Sequence, residues 1–333
     1  MNRGQQHGAA LLLAMLTVAI VATLAAGAAW QQWRAIEIEM AERQRSQSSW
    51  ILTGALDWSR LILREDARGN RNSGNADHLG EPWAMPLEES RLSSFLAVDR
   101  DNNADDVMEA FLSGRMTDLQ GKLNFRNLLI STGTGANTQT SLSQPDLADF
   151  RRLYAELGLD TEELESAARM LVETHRRADD ELKPSDTPLM PMRYAQLGWL
   201  GLPPHSLRAL APYVTWLPAR TRINLNTASE QVLAATLAGV EAGLARQLVA
   251  QREITPFISL DDIKRWLPEG LENAVDARRH DVRSQYFAVH GRLRLGDTVI
   301  DEQSMVSRSG LQVGVRWRQR NASQDVALSA MKN

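Results

Sequence analysis

The sequence predicts an α+β protein with a long N-terminal transmembrane helix, a mostly helical middle and an antiparallel sheet near its C-terminus. Residues 9–30 contain no charged side chain, and residues 128–279 place apolar side chains at helical spacing. Residues 289–317 instead alternate apolar and polar side chains. The first pattern is typical of a membrane helix, the second of packed helices and the third of half-buried strands.

Length and composition exclude several classes of protein. A chain of 333 residues can form two or three compact units. The sequence contains no cysteine, which excludes disulfides, thiolate zinc sites and a cysteine nucleophile. A formal net charge of −4 indicates neither a nucleic-acid-binding polycation nor an acidic disordered tail. Function must therefore be inferred from local features.

The N-terminal apolar segment, Ala9 to Trp30, is long enough to span about 30 Å of hydrocarbon as a helix. The preceding residues, Met1 to Gly8, carry Arg3 and no acidic residue, so the positive-inside rule predicts a cytoplasmic leader. The rest of the chain would then lie in the periplasm of a Gram-negative cell. An ordinary secretory signal peptide, cleaved near Ala29, is the alternative, although its apolar region would be shorter.

Gly8 stands directly before the apolar run, followed by Ala9 and further apolar residues. This arrangement resembles a class III, type IV pilin-like leader, which implies cleavage between Gly8 and Ala9 by a prepilin peptidase. Most such proteins carry Glu at the fifth mature position, where this chain has Leu13. A buried unpaired charge is costly in hydrocarbon, so a subunit without a neighbour ahead of it benefits from an apolar residue there. Leu13 therefore indicates a subunit at the tip of a fibre.

Residues 31–66 continue the helix beyond the membrane. Apolar residues at helical spacing predict that this part packs against a globular domain, and residues 66–80 predict an exposed loop that ends the helix. The predicted contact stripe consists of Ile51, Ala55, Trp58 and Ile62.

The middle and the C-terminus follow two different periods. Helices are predicted around Leu147, Phe150, Leu153 and Leu157, around Leu164, Ala168 and Leu171, and around Val232, Ala235, Leu244 and Leu248. Polar breaks at 131–145 and 183–191 separate them. Two strands are predicted from the alternation of Val289, Gly291, Leu293 and Leu295, before a Gly296-Asp297 turn, and of Leu311, Val313, Val315 and Trp317. Both strands should close a sheet against the long helix.

Three motifs in order, Trp83-Ala84-Met85-Pro86, DLQGKLNFRNL at 118–128 and RINLNTASEQVLAA at 222–235, resemble the general secretion pathway protein K family. These are the large minor pseudopilins of bacterial type II secretion. The QWRAIEIEM segment at 32–40 and its continuation add to the resemblance, which covers nearly the whole chain. The signature residues are Trp83, Pro86, Asp118, Gln120, Gly121, Asn124, Asn127, Leu128, Asn224, Asn226, Thr227 and Ala228.

The resemblance implies a pilin-like α/β head that carries an all-helical insertion of two small units, similar to SAM and helix-hairpin-helix bundles. We expect a prepilin leader at 1–8, a transmembrane helix at 9–30 and its continuation at 31–66. The head would comprise 67–121 and 280–320, the two helical units 122–217 and 218–279, and a flexible tail 321–333.

The implied function is assembly with other minor pseudopilins at the tip of the periplasmic pseudopilus, which would be initiated or capped for export of folded proteins. The further partners implied are the prepilin peptidase and inner-membrane lipid, with no nucleic acid and no small-molecule substrate. The protein would be a single-pass inner-membrane protein with a cytoplasmic N-terminus.

A helix-hairpin-helix of a membrane-anchored DNA-uptake protein is the competing interpretation of residues 223–253. Such modules bind backbone phosphates through a glycine hairpin and a helix N-terminus. The hairpin here is Gly239-Val240-Glu241, which places a carboxylate where phosphate would approach. Acidic residues also outnumber basic ones between Thr221 and Gly270. We therefore interpret the motif as a folding unit, with Asn226 or Thr227 capping a helix that begins near Ala228.

No catalytic or confident metal site is predicted. Asp99, Asp101, Asn103 and Asp105 resemble a calcium loop, but Ala104 and Ala110 replace its glycine and its bidentate glutamate. The family's calcium pattern is also missing around 171–194, where Asp179, Asp180 and Glu181 cluster. Calcium stays possible as a cofactor and none is required. The histidines show no metal spacing, and no nucleophile elbow or phosphate loop occurs, so we expect no enzyme activity.

Overall fold

A computed structural model describes residues 6–70, 76–92, 110–132, 139–178, 189–296 and 298–324. The chain begins with helix α1 (Gln6–Asn70), a single helix of 65 residues. Within the described ranges it is the one helix long and apolar enough to cross a membrane. The expected transmembrane segment and its continuation are therefore one uninterrupted element.

Five strands form one antiparallel sheet in the order β1-β2-β9-β10-β11. These strands are β1 (Leu87–Arg91), β2 (Ala110–Asp118), β9 (Tyr286–Leu295), β10 (Thr298–Ser309) and β11 (Gln312–Gln324). The predicted strands correspond to β9 and β11, and the Gly296 turn has a positive φ of 56°. The two strands are not neighbours, because β10 lies between them. The central strand pair, β2 with β9, joins distant parts of the chain.

The face of α1 that packs on the sheet is centred one position away from the predicted stripe. Its buried residues are Ser48, Leu52, Leu56 and Leu63, each at most 4% exposed. Trp58, assigned to the contact stripe, is 60% exposed. The other three residues of the predicted stripe, Ile51, Ala55 and Ile62, are partly buried against the apolar clusters beneath α1, so the stripe borders the buried face. Apolar side chains occupy both sides of this helix, so periodicity alone did not exclude Trp58.

A β-bulge in β11 interrupts the alternation that was predicted for that strand. Val315 pairs with Val306 and Trp317 pairs with Met305, so Arg316 is an extra residue in the ladder. Val313 packs towards α1, whereas Trp317 contacts the opposite cluster with Leu217, Tyr286 and Met305. Trp317 therefore does not share a face with Val313. β11 also continues to Gln324, four residues into the expected tail.

The region between β2 and β9 is predominantly helical, as predicted. Its helices are α2 (Gln144–Glu156), α3 (Thr161–Ala178), α4 (Pro204–Leu210), α5 (Glu230–Thr236), α6 (Ala242–Ile254) and α7 (Leu260–Trp266). Short 3₁₀ helices lie at Pro82–Ala84, Phe125–Leu128, Tyr194–Leu200 and Glu272–Ala274. One continuous apolar core runs through the region from Leu123 to Val282. The division into two units at 217/218 stays a prediction.

Short strands reinforce this helical region. Hairpin β4 (Leu129–Thr132) and β5 (Gln139–Leu142) lies in the break predicted at 131–145. Two parallel pairs, β3 (Leu123–Asn124) with β6 (Val214–Thr215) and β7 (Ile223–Asn224) with β8 (His280–Asp281), connect its ends. Strands β3 and β7, which lie in the signature motifs, therefore pair with segments that are distant along the chain.

The described residues of the loop predicted at 66–80 are only partly exposed. α1 continues to Asn70, and the Asp66 side chain is only 4% exposed. Ala76 and Asp77 are also buried, and the Asp77 amide donates to the Val282 carbonyl at 2.8 Å. The polar sequence misled the prediction because its acidic residues are partnered inside the protein.

Candidate functional site: a buried polar junction

Asp118 is the centre of a buried hydrogen-bond network between the sheet and the helical region, which we call the polar junction (Asp118, Gln120, Asn224, Thr227 and Ser284). Its carboxylate accepts hydrogen bonds from Ser284 Oγ at 2.5 Å, Thr227 Oγ1 at 2.6 Å and Asn224 Nδ2 at 3.1 Å. Burial raises the pKa of Asp118, and these hydrogen bonds oppose the rise. The network joins β2 to β7 and to the start of β9.

Gln120 extends the polar junction. Its side chain donates to the Arg222 carbonyl at 2.9 Å and accepts from the Gln285 amide at 2.6 Å. The neighbouring Gly121 allows close chain approach, because a Cβ there would lie 2.8 Å from Thr227 Oγ1 and 2.9 Å from its carbonyl oxygen. The family signature at 120–121 is therefore explained by packing against the second signature at 224–228.

Asn124 and Asn127 hold the segment that leads into β7. Asn124 donates to the Ala219 carbonyl at 2.8 Å and accepts from the Leu217 amide at 3.1 Å. Asn127 donates to the Thr221 carbonyl at 2.8 Å and accepts from the Thr221 amide at 3.0 Å. Both side chains thus pair buried backbone groups that would otherwise lack partners.

Asn226 and Thr227 do not cap a helix, contrary to our expectation. Asn226 forms two hydrogen bonds with the Phe257 backbone, donating at 2.8 Å and accepting at 3.0 Å. The N-cap of α5 is Ser229, whose hydroxyl accepts from the Val232 amide at 3.3 Å. Asn226 therefore joins the start of this segment to the loop before α7. The remaining signature residues Leu128 and Ala228 are fully buried in the apolar core.

Trp83 belongs to a second polar group, which lies at the end of α1. Its ring is fully buried against Phe287, and its indole Nε1 donates to Glu81 at 2.6 Å. Glu81 also accepts from Asn70 Nδ2 at 2.7 Å, at the end of α1. Pro86 is exposed and lies outside this group. Trp83 thus ties the end of α1 to the sheet.

Asp66, Asp77 and Glu81 bring carboxylate oxygens within 4.8 Å of one another, a spacing that could hold a metal ion. Arg308 already lies there, donating to Asp66 at 2.6 Å and forming an ion pair with Asp77. Burial and the nearby Glu81 raise the pKa of Asp66 to about 7, and burial raises that of Asp77 to about 6. The arrangement is an ion-pair cluster with a surplus of negative charge.

Arg308, Asp77 and Ser284 were absent from the predicted site. The sequence does carry one signal for Arg308, which lies two positions after the buried Val306 and so shares its face of β10. A charged residue on a buried face requires partners inside the protein. No comparable signal distinguishes Asp77 or Ser284 from surface residues.

Other predicted residues lie elsewhere. Ala9 and Leu13 are exposed on α1, with Leu13 65% exposed, and Gly8 lies in the first turn of the same helix. The calcium-loop residues at 99–105 and the acidic cluster at 179–181 also lie outside them. In the hairpin, Gly239 has a φ of 85° and Glu241 is the N-cap of α6. A carboxylate at this helix start disfavours phosphate binding there.

Comparison with known proteins agrees with the family resemblance found in the sequence. A family profile described as type II secretion system protein K matches residues 223–283, which contain Asn224 and Thr227 of the polar junction. The type II secretion system protein K of Pseudomonas aeruginosa is 28% identical over 314 residues, covering 89% of this chain and 87% of that protein. Its counterpart in Pectobacterium carotovorum is 27% identical over 340 residues, covering 95% and 97%.

The chain is similar to type II secretion system protein K along nearly its whole length. Its fold is also similar to that of a chain in the crystal structure of the GspK-GspI-GspJ complex from the type 2 secretion system of enterotoxigenic Escherichia coli. That likeness has a TM-score of 0.61 at 18% identity and covers 85% of this chain and 99% of the other. In this chain the signature residues Asp118, Gln120, Asn224 and Thr227 build contacts between the sheet and the helical region, as described above.

Proposed function

We propose that the protein is a minor pseudopilin that assembles with other minor pseudopilins of the type II secretion system. Its place would be the tip of the periplasmic pseudopilus, which it would initiate or cap for export of folded proteins. In the same proposal, prepilin peptidase cleaves between Gly8 and Ala9, the helix stays in the inner-membrane lipid, and the C-terminal part is periplasmic. The role is structural rather than catalytic.

The observation that carries this proposal is an apolar groove beside α1. The groove has a volume of about 760 Å³ and lies between α1, β1 and β2. Trp50 and Trp58 on its wall are 75% and 60% exposed, and Met85 is 65% exposed. Exposed apolar surface of this size is typical of an interaction site. Its continuity with the membrane segment favours a partner whose own helix runs alongside α1.

Two features support a tip position. Leu13 supplies no carboxylate to a neighbour's N-terminal amine, and the helical region adds a bulky unit beside the sheet. A subunit of this width would be difficult to repeat along a fibre. One chain of the solved GspK-GspI-GspJ complex resembles this chain in fold, and that complex contains three different subunits.

The test is assembly of a Trp58→Glu variant with the other minor pseudopilins of the same system. All subunits are co-expressed in membranes, solubilised in a mild detergent and purified through this chain. We expect the amount of the other subunits that co-purifies with the variant to fall about tenfold or more, because the substitution places a charge in the apolar groove. Trp199→Glu is the matched control, because Trp199 is 46% exposed on the helical region, away from the groove. Full assembly of the Trp58→Glu variant would contradict the proposal.

A further inference from the structure

A second opening in the molecule is polar and lies where the helical region meets the end of β10. It has a volume of about 480 Å³ and is lined on several sides by arginine side chains. Nothing in the proposed assembly through the α1 groove uses it. Its arginines are Arg220, Arg222, Arg278, Arg279, Arg283 and Arg308, and its aspartates are Asp77, Asp146 and Asp281. We call this opening the arginine cleft.

Most of the arginines are held in place by carboxylates. Arg220 donates to Asp146 at 2.7 Å, and Arg222 and Arg283 share the single Asp281 at 2.8 and 3.3 Å. Behind the wall, Arg279 pairs with Asp149, and Arg308 pairs with Asp66 and Asp77. These pairs fix the guanidinium groups at separate positions around the cleft before any ligand arrives.

The pairing leaves positive charge unneutralised at the mouth of the cleft. Two arginines share Asp281, and Arg278 is exposed with no side-chain partner among the described residues. Each guanidinium has five N–H donors, and the existing partners occupy only some of them. Arg222 and Arg283 are also about half exposed, with values of 44% and 50%, so their remaining donors reach solvent.

The distribution of these donors favours one class of ligand. A single small ion is bound best where all the arginines converge on one point, whereas here Arg220, the pair of Arg222 and Arg283, and Arg308 are held by different carboxylates. Membrane phosphates are also remote. Ala67 of α1 lines the cleft, and the stretch of α1 between Ala67 and Trp30, where the predicted membrane segment ends, is about 55 Å long. A chain with several carboxylates could reach several guanidinium groups at once, each in a bidentate geometry.

We propose that the arginine cleft binds an acidic peptide segment of a protein partner. Binding would rest on charge-assisted hydrogen bonds from Arg278, Arg222 and Arg283 to Asp or Glu side chains of that segment. The contact is separate from the α1 groove, so it would allow a partner outside the pseudopilin bundle to bind the assembled tip.

The test uses the full-length protein in a non-ionic detergent and a fluorescently labelled oligoglutamate peptide. We expect saturable binding that weakens with added salt, and no binding of an oligoglutamine peptide of the same length. Arg278→Glu should weaken binding about tenfold or more, which is about 1.4 kcal/mol. Because Arg278 is exposed and has no side-chain partner, the variant should fold normally, and Arg278→Ala provides a milder second variant.

Arg208→Glu is the matched control, since Arg208 is exposed on α4 outside the cleft and the change in net charge is the same. If Arg278→Glu and Arg208→Glu weaken peptide binding equally, the effect comes from the net charge of the protein and not from the cleft, and the proposal is overturned. Inorganic phosphate is tested alone in the same assay. Displacement of the peptide by phosphate at concentrations near those of the peptide would show a small-anion site and also overturn it.

Discussion

Asp66 in the last turn of α1 and Arg308 in β10 form an ion pair at 2.6 Å, with side chains only 4% and 8% exposed. The same guanidinium pairs with Asp77, so one positive charge serves two buried carboxylates beside Glu81. This cluster is an electrostatic connection between α1 and strand β10 of the sheet. Its state of protonation should therefore influence how firmly α1 is held.

The contribution of Asp66 and Asp77 to the stability of the folded chain should fall as the pH rises from about 4 to about 7. The pKa of Asp66 is raised to about 7 and that of Asp77 to about 6, from 3.8. The folded state therefore retains protons that the unfolded state releases, and the stabilisation, complete below 3.8, is lost as pH rises through 6 and 7. Thermal unfolding of the detergent-solubilised protein across this range measures the effect.

In Asp66→Asn the same pH dependence should be weaker, because the group no longer titrates. Asp57→Asn is the control, since Asp57 lies on the same helix with its side chain 59% exposed. If Asp66→Asn and wild type show the same slope of melting temperature against pH, the cluster does not control this transition.

Asn224→Ala should destabilise the fold by about 2–4 kcal/mol. The Asn224 amide is fully buried and donates to Asp118, to Ser284 Oγ at 2.9 Å and to the Asp77 carbonyl at 3.0 Å. Its loss leaves several buried acceptors with fewer donors. Urea unfolding measures the change. Asn273→Ala, at an exposed position, should stay within about 0.5 kcal/mol of wild type, and an equally small effect of Asn224→Ala would refute the role of the network.

Gly121→Ala should destabilise the protein by about 1–3 kcal/mol, since the new methyl group would meet the Thr227 backbone at 2.9 Å. A double variant with Thr227→Ala should recover little, because the carbonyl contact remains. Gly243→Ala in α6 has open space around its Cβ and should be neutral or stabilising by up to about 1 kcal/mol. Equal stability of the two alanine variants in thermal unfolding would show that the close approach at Gly121 relaxes freely.

The mature N-terminus should be Ala9 when the prepilin peptidase is present. Mass spectrometry of the protein from cells with and without the peptidase measures this directly. Gly8→Leu should leave the leader attached, whereas Gly27→Ala, further along the same helix, should not affect cleavage. Cleavage near Ala29, or an intact Met1 in peptidase-containing cells, would return the chain to the class of signal-anchored or secreted proteins.

The sequence was informative where one period dominates a long segment. The uncharged run at 9–30, the alternation in β9 and the helical spacing in α2 and α3 each predicted the observed element. The resemblance also identified most residues of the polar junction. It did not reveal their roles, because hydrogen bonds such as Thr227 to Asp118 join positions 109 residues apart.

The rest depended on information that periodicity does not contain. β10 was missed because Glu302, Ser304 and Arg308 are buried polar residues that obscure its alternation. The bulge at Arg316 reversed the face of Trp317, and no local residue marks such an insertion. α1 carries apolar residues on two faces, so choosing between Leu56 and Trp58 required knowing where the sheet lies.

The pairing of β2 with β9 also sets an order of events during synthesis and export. Ala110 pairs with Leu295, so β2 emerges long before the strand that completes its ladder. The helical region between them has its own core and can condense first, whereas Leu112 and the sheet-facing side of α1 stay uncovered until the last strands arrive. Such non-local pairing is slow and exposes apolar surface to aggregation. The newly exported chain should therefore depend on holding factors for longer than its helical content suggests.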